Sequence, residues 1–176
     1  MQLIALTGGP GTGKTTVIKA LQKQGYACQQ EISRQVTKMA RKNGIEQLFL
    51  KDPLLFSKLL LEGRVQQFKE ALKLESDYIF FDRGIPDVHA YMNYLGLKYP
   101  DLYVQKSQKY KYDTVFLMPP WEKIYITDNE RYESFEQSLA IHNHLKNTYK
   151  SLGYKIIEVP FGDVSKRTDF ILNSLT

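Results

Sequence analysis

Eight consecutive residues carry the clearest chemistry in this sequence. Gly8-Gly9-Pro10-Gly11-Thr12-Gly13-Lys14-Thr15 fits the spacing G-x-x-x-x-G-K-[ST] in full. Glycines in such a loop let backbone N–H groups turn inward and meet phosphate oxygens with no Cβ in the way. The helix that follows adds its free N–H groups and the positive end of its dipole. Lys14 supplies an ammonium for the β- and γ-phosphates of a nucleoside triphosphate, and the Thr15 hydroxyl is a ligand for Mg²⁺. Gly8 through Thr15, with the next residue Thr16, are therefore assigned to nucleotide binding. The competing reading is a chance glycine-rich turn. The strand predicted before the loop and the helix predicted after it argue against that.

A second group of charged residues lies at the ends of later strands. Asp82 closes the apolar run Tyr78-Ile79-Phe80-Phe81. A carboxylate there reaches Mg²⁺ or its waters, although it could also cap a turn made possible by Gly84. Motor-type ATPases usually follow this aspartate with a water-activating glutamate, but here Arg83 follows. No N-K-x-D stretch is present, and no D-x-x-G follows the third strand, which argues against an ordinary GTPase. There is no room for the helical second domain of ring-forming ATPases. Glu31 ends the second predicted strand, where a carboxylate can take the proton of an attacking hydroxyl. A helix-capping glutamate is the alternative. Arg34, one turn on, is read equally as a substrate contact or a solvated helix residue. Arg131, in Asp128-Asn129-Glu130-Arg131-Tyr132, is assigned to charge on the moving phosphoryl group or to stacking on the base. A salt bridge at the helix entry is its plainer role. Phe161 in Val159-Pro160-Phe161-Gly162-Asp163 either holds the base or packs in the core.

The elements that must position these residues alternate short apolar runs with amphipathic stretches. That is the pattern of a parallel sheet with crossover helices. Strands are predicted over 3–7, 26–31, 77–82, 113–118 and 155–159. Helices are predicted over 14–24, 33–42, 53–74, 86–95, 133–152 and 164–175. Leu55, Leu59, Val65, Phe68 and Leu72 are expected on the apolar face of the third helix. The fold class is α/β, a three-layer α/β/α domain with five parallel strands, taken as one domain over 1–176. Residues 121–132 show no clear period, and a segment of about 119–133 has the length and polarity of a lid.

Composition is ordinary for a globular chain, with 43% hydrophobic and 24% charged residues. The net charge of +5 suits a polyphosphate ligand as well as a nucleic acid. Nucleic-acid binding would rest on charge alone and is not expected. No apolar run is long enough to span a membrane, and the first residues lack the basic start of a signal peptide, so no membrane partner and a cytoplasmic location are expected. Cys28 is the one cysteine and reads as a small core residue. His142 and His144, two apart on a helix, point to nearly opposite sides and cannot readily share an ion. The Lys- and Tyr-rich stretch from Lys98 to Tyr112 reads as a solvated helix face.

With these residues in hand, the chain resembles the small P-loop family often labelled AAA-type ATPase. It is similar to the ribosylnicotinamide kinase domain of the bacterial NAD-biosynthesis regulator. The motifs behind the resemblance are the phosphate loop, Glu31-Ile32-Ser33-Arg34, Phe81-Asp82-Arg83-Gly84, Asp128 to Tyr132, and the ending Lys166-Arg167-Thr168-Asp169-Phe170-Ile171. Phe81-Asp82-Arg83-Gly84 also resembles the D/E-R motif of nucleoside and thymidylate kinases. The resemblance implies a sheet order of 2-3-1-4-5 and ATP as donor. The expected activity is Mg²⁺- and ATP-dependent phosphoryl transfer to a small hydroxyl acceptor such as a nucleoside or nucleotide. Lys14, Glu31, Asp82, Arg83 and Arg131 are the expected catalytic residues, and Thr15 and Asp82 the metal ligands. The rival expectation is a nucleotide-binding switch or slow NTPase acting on a protein partner.

Overall fold

The structure, a computed structural model, describes residues 1–125 and 133–175. Five strands, β1 (Gln2–Thr7), β2 (Ala27–Gln29), β3 (Tyr78–Asp82), β4 (Thr114–Leu117) and β5 (Ile156–Glu158), form one parallel sheet ordered β2-β3-β1-β4-β5. Helices α1 (Lys14–Lys23), α2 (Ser33–Lys42), α3 (Leu48–Lys51), α4 (Pro53–Ala71), α5 (Pro86–Tyr94), α6 (Leu102–Lys109), α7 (Phe135–Ser151) and α8 (Val164–Asn173) connect and cover it.

The period-2 alternation of the strands sorts their side chains into two cores. Leu3, Ala5, Ile79, Phe81, Val115 and Leu117 face one way, onto Val36 of α2, Leu61, Val65 and Phe68 of α4, Val88 of α5 and Ile141 and Leu145 of α7. Ile4, Leu6, Phe80, Phe116 and Met118 face the other way, onto Val17, Ile18 and Leu21 of α1 and Ile171 of α8. The central strands are apolar except at their ends because both faces are covered, which is the demand a sandwiched parallel sheet makes. The result is the three-layer α/β/α architecture of P-loop proteins with kinase-type strand order.

Register fixes the site. Leu6 of β1 lies opposite Asp82 of β3, and Thr7 opposite Leu117 of β4. The chain therefore leaves the sheet at Gly8 and at Arg83 side by side, at the carboxyl edge where ligands collect in such sheets.

Several elements differ from the sequence reading. The second strand is three residues long, so Glu31 stands two residues past its end. The short α3 is present besides the predicted helices, and α6, read as a solvated helix face, instead buries Tyr103, with Tyr112 just after it also in the core. In α4 the predicted face is only half right. Val65 and Phe68 are buried, but Leu55, Leu59 and Leu72 are exposed. The buried face instead includes Ser57, hydrogen-bonded across 3.0 Å to the Tyr103 hydroxyl, and Arg64, which reaches Glu31. Two polar residues with buried partners rotate the inward face away from the one that apolar counting selects. At α7, Ser134 and Gln137 form a reciprocal capping box that fixes the helix start. No helix among the described residues is long and apolar enough to cross a membrane.

Candidate functional site

The loop after β1 turns on glycines in the left-handed region, with φ of 71° at Gly11 and 82° at Gly13. Gly8 has a second reason to lack a side chain, since a Cβ there would sit 2.5 Å from the Met118 carbonyl oxygen. Lys14 opens α1 and is buried. Its Nζ donates to the Gly9 carbonyl at 2.6 Å and to Thr12 Oγ1 at 3.1 Å. Burial first, and then the Arg83 guanidinium, lower its pKa to about 7. Such an ammonium gains most from a new anion. Thr15 Oγ1 donates to Asp82 Oδ2 at 3.2 Å, so the two predicted metal ligands are neighbours. Burial pushes the Asp82 carboxyl above its ordinary value, with Lys14 opposing. Thr16 lies on the first turn of α1 and is exposed.

On the β2–β3 side, Glu31 sits between two arginines. Arg64 of α4 donates through NH2 to Glu31 Oε1 at 3.1 Å, and Arg83 Nε pairs with Oε2. The Ser33 N–H also donates to Oε1, at 3.1 Å; the N-cap of α2 is Ile32, so Glu31 is not the helix cap of the plainer reading. Burial raises the Glu31 carboxyl, but Arg64, Arg83 and the Ser33 N–H outweigh it and hold Glu31 below the usual carboxylate range.

Arg83 is the one non-glycine residue with positive φ, 77°, among the described residues. That conformation costs about 1–3 kcal/mol and persists only where surroundings fix it. Here its backbone N–H still donates to Leu6 O at 3.0 Å, while the left-handed turn swings its side chain back over the loop. NH1 donates to the Gly8 carbonyl at 3.0 Å and lies 3.3 Å from Asp87 Oδ2. The guanidinium stands 5.5 Å over the Tyr91 ring. Asp87, fully buried, also accepts from Thr7 Oγ1 at 2.9 Å and from the Tyr149 hydroxyl at 2.7 Å. Gly84 must be glycine because a Cβ would strike that hydroxyl and come within 3.0 Å of the Tyr112 ring.

The structure thus gathers Lys14, Thr15, Glu31, Asp82 and Arg83 at one edge of the sheet. Arg34 lies in the first turn of α2 and is exposed. Arg131 and the rest of Asp128 to Tyr132 lie outside the described residues. The described start of the 119–133 segment leans on the loop, with the Tyr125 ring so close to Gly11 that a Cβ would meet it at 2.5 Å. Phe161 is exposed and not in the core. It packs on Trp121 with ring centroids 5.3 Å apart.

Sequence reasoning missed Arg64, Asp87, Tyr149, Ser138 and Arg167. Two of these had a signal. Arg64 interrupts the buried face marked by Leu61, Val65 and Phe68, and Asp87 falls four residues after Arg83, in the first turn of α5 after Pro86. Ser138 and Arg167 had none, since their contacts with the loop span 128 and 155 residues.

Fold, loop and strand-end charges together define a P-loop nucleotide-binding domain with kinase-type strand order. The AAA domain family model matches residues 3–167, and the chain belongs to that family. No curated protein matches it by sequence. Among solved structures it is similar to deoxyadenosine kinase from M. mycoides, solved with dCMP and a flexible dCDP bound, at 20% identity over 98% of both chains and a TM-score of 0.74. The NadR protein in complex with NR matches at 18% identity and a TM-score of 0.77, over 99% of this chain but 50% of that one. Thymidylate kinase from Candida albicans matches at 18% identity over 99% of this chain and 90% of the other, with a TM-score of 0.70.

Proposed function

We propose that this protein transfers the γ-phosphoryl group of ATP to the hydroxyl of a small nucleoside-like acceptor. One observation carries the reading. The Arg83 guanidinium touches the Gly8 carbonyl of the phosphate loop with one nitrogen and Glu31 with another. A single cation therefore ties the loop that would hold the donor to the carboxylate that would orient the acceptor. Phosphoryl transfer needs such positioning and charge neutralisation more than covalent chemistry.

Lys14 would hold the β- and γ-phosphates in this scheme. Thr15 and Asp82 are adjacent hard oxygen donors, so the pair suits Mg²⁺. When bound, Mg²⁺ would neutralise charge on the phosphate oxygens. Glu31 stays ionised between its arginines and would accept a hydrogen bond from the acceptor hydroxyl. Its low basicity fits a loose transition state in which the hydroxyl proton leaves late.

The same network favours an acceptor that carries no phosphate. Arg64 and Arg83 already face Glu31 and Asp87, so among the described residues this buried network sets two cations against two carboxylates. A phosphomonoester would set further negative charge against those carboxylates. Thymidylate kinase and deoxyadenosine kinase share the fold, so the fold alone does not choose between the acceptor types.

The test is product identification. The protein is incubated with ATP, Mg²⁺ and a panel of nucleosides and related hydroxyl compounds, and the mixture is analysed by mass spectrometry. A phosphorylated nucleoside is expected. ATP consumption with no phosphorylated small molecule, accelerated by a protein partner, would establish a switch instead.

A further inference from the structure

Three side chains from three separate elements hold alternate carbonyls of the phosphate loop. Arg83, after β3, donates to the Gly8 carbonyl at 3.0 Å. Ser138 of α7 donates through Oγ to the Pro10 carbonyl at 3.0 Å. Arg167 of α8 donates through NH2 to the Thr12 carbonyl at 2.7 Å. All peptide bonds among the described residues are trans. In a trans peptide the C=O and the following N–H lie in one plane and point in opposite directions. Holding the carbonyls of Gly8, Pro10 and Thr12 outward therefore turns the N–H groups of Gly9, Gly11 and Gly13 to the other side. Among the described residues no protein acceptor takes those three N–H groups. An array of such N–H groups is what an anion nest is made of.

We propose that Arg167 and Ser138 are positioning residues for the donor phosphates, acting through the loop and not by touching the ligand. Arg167 does most of this work. It is 4% exposed, and no acidic side chain lies beside it among the described residues. Burial lowers its pKa with no carboxylate to offset the effect. Its Nε is buried without a hydrogen-bond partner. A buried guanidinium so poorly compensated is a costly way to pack a helix. It becomes favourable once the loop in front of it carries a polyanion. Its position behind Gly13 is tight. A Cβ on Gly13 would come within 2.7 Å of Arg167 NH1, so loop and guanidinium are fitted to each other. Ser138 is fitted in the same way, with its hydroxyl 2.8 Å from where a Gly9 Cβ would stand. The flexible glycines would otherwise sample both peptide orientations, and these two residues remove that freedom before the ligand arrives.

The inference rests on the phosphate-loop assignment but not on the identity of the acceptor, so it is tested by binding alone. Affinities for Mg-ATP and for Mg-tripolyphosphate are measured by calorimetry on wild type, Arg167→Met, Arg167→Lys and Ser138→Ala. Thermal stability is recorded on the same samples. For Arg167→Met both affinities are expected to fall by about tenfold, the size of losing one charge-assisted hydrogen bond. Arg167→Lys should recover part of the loss, because an ammonium can still donate to the Thr12 carbonyl. Ser138→Ala, the change least able to disturb folding, should weaken both ligands by a few-fold, roughly the worth of a neutral hydrogen bond. Unchanged affinities in Arg167→Met and Ser138→Ala, whatever happens to the melting temperature, would overturn the proposal. Weakened Mg-ATP with unchanged Mg-tripolyphosphate would also overturn it, since Arg167 would then read the base or ribose. Failure of wild type to bind either ligand would reject the phosphate-loop assignment itself.

Discussion

The two halves of the site are built from different materials. The donor half is backbone. Its N–H groups belong to one loop, Gly8 to Thr15 without Pro10, and Lys14 is the one charged side chain within it. The acceptor half is side chain. Glu31, Arg64, Arg83 and Asp87 come from the loop after β2, from α4, from the residue after β3 and from α5, and they interlock through side-chain ion pairs. A backbone site tolerates most substitutions that keep its turns. A side-chain network fails when any member is removed, because each removal leaves a buried charge facing the wrong partner. Binding of the donor and transfer to the acceptor should therefore be separable by mutation, except at Arg83, which touches both halves.

Lys14→Ala should have the largest effect, since it removes the one loop charge. Triphosphate binding should weaken and turnover should stop, as read by calorimetry and by ADP release. Wild-type turnover in this variant would break the donor half of the comparison.

Glu31→Gln sharpens the separation. It keeps the side chain's shape but removes its charge. ATP affinity should barely change, while transfer falls by roughly 10²–10⁴-fold, the usual contribution of a group placed on the reacting hydroxyl. Asp82→Asn should instead raise the Mg²⁺ concentration needed for activity. If Glu31→Gln transfers normally and Asp82→Asn is dead with its metal response intact, the acceptor carboxylate is Asp82. If both keep full transfer, Glu31 serves only the ion pairs and the Ser33 N–H at the start of α2.

Arg64→Met tests the interlock through stability. The arginine is buried, so losing it should cost on the order of 3 kcal/mol in denaturant unfolding, much of it from leaving Glu31 short of a partner. A loss well under 1 kcal/mol would mean that Glu31 is solvated and the two halves are less distinct than described.

Cys28 gives the smallest expected signal. Burial, with Asp82 nearby, raises its thiol to about 11. At pH 8 only about a thousandth is thiolate, so alkylation should be slow and should keep rising beyond pH 10. Fast alkylation at pH 8 would show that β2 is open.

How much of this was legible in the sequence follows the same division. A backbone site is written locally. The glycines, Lys14 and Thr15 sit in one stretch, and the flanking strand and helix announce themselves by apolar runs. The sheet order came from resemblance and agrees with the structure. Asp82 and Arg83 were legible because they end a strand, and strand ends share one edge. Arg64 and Asp87 left only a spacing signal, because their roles depend on which way a helix turns once it packs. Polar residues that turn inward defeat apolar counting, as the exposed Leu55 and Leu59 demonstrate. Arg167 stands out in the sequence only within the ending that carries the family resemblance. Nothing local says that α8 lies behind the loop.

The most direct test of the central claim compares two acceptor types in one assay. ADP release is measured with wild-type protein, Mg-ATP, and each nucleoside beside its own 5′-monophosphate. The charge-balanced pair of arginines and carboxylates predicts acceleration by a nucleoside and little by its monophosphate. Acceleration by monophosphates in preference to nucleosides would contradict the account, because both arginines of the buried network already face carboxylates.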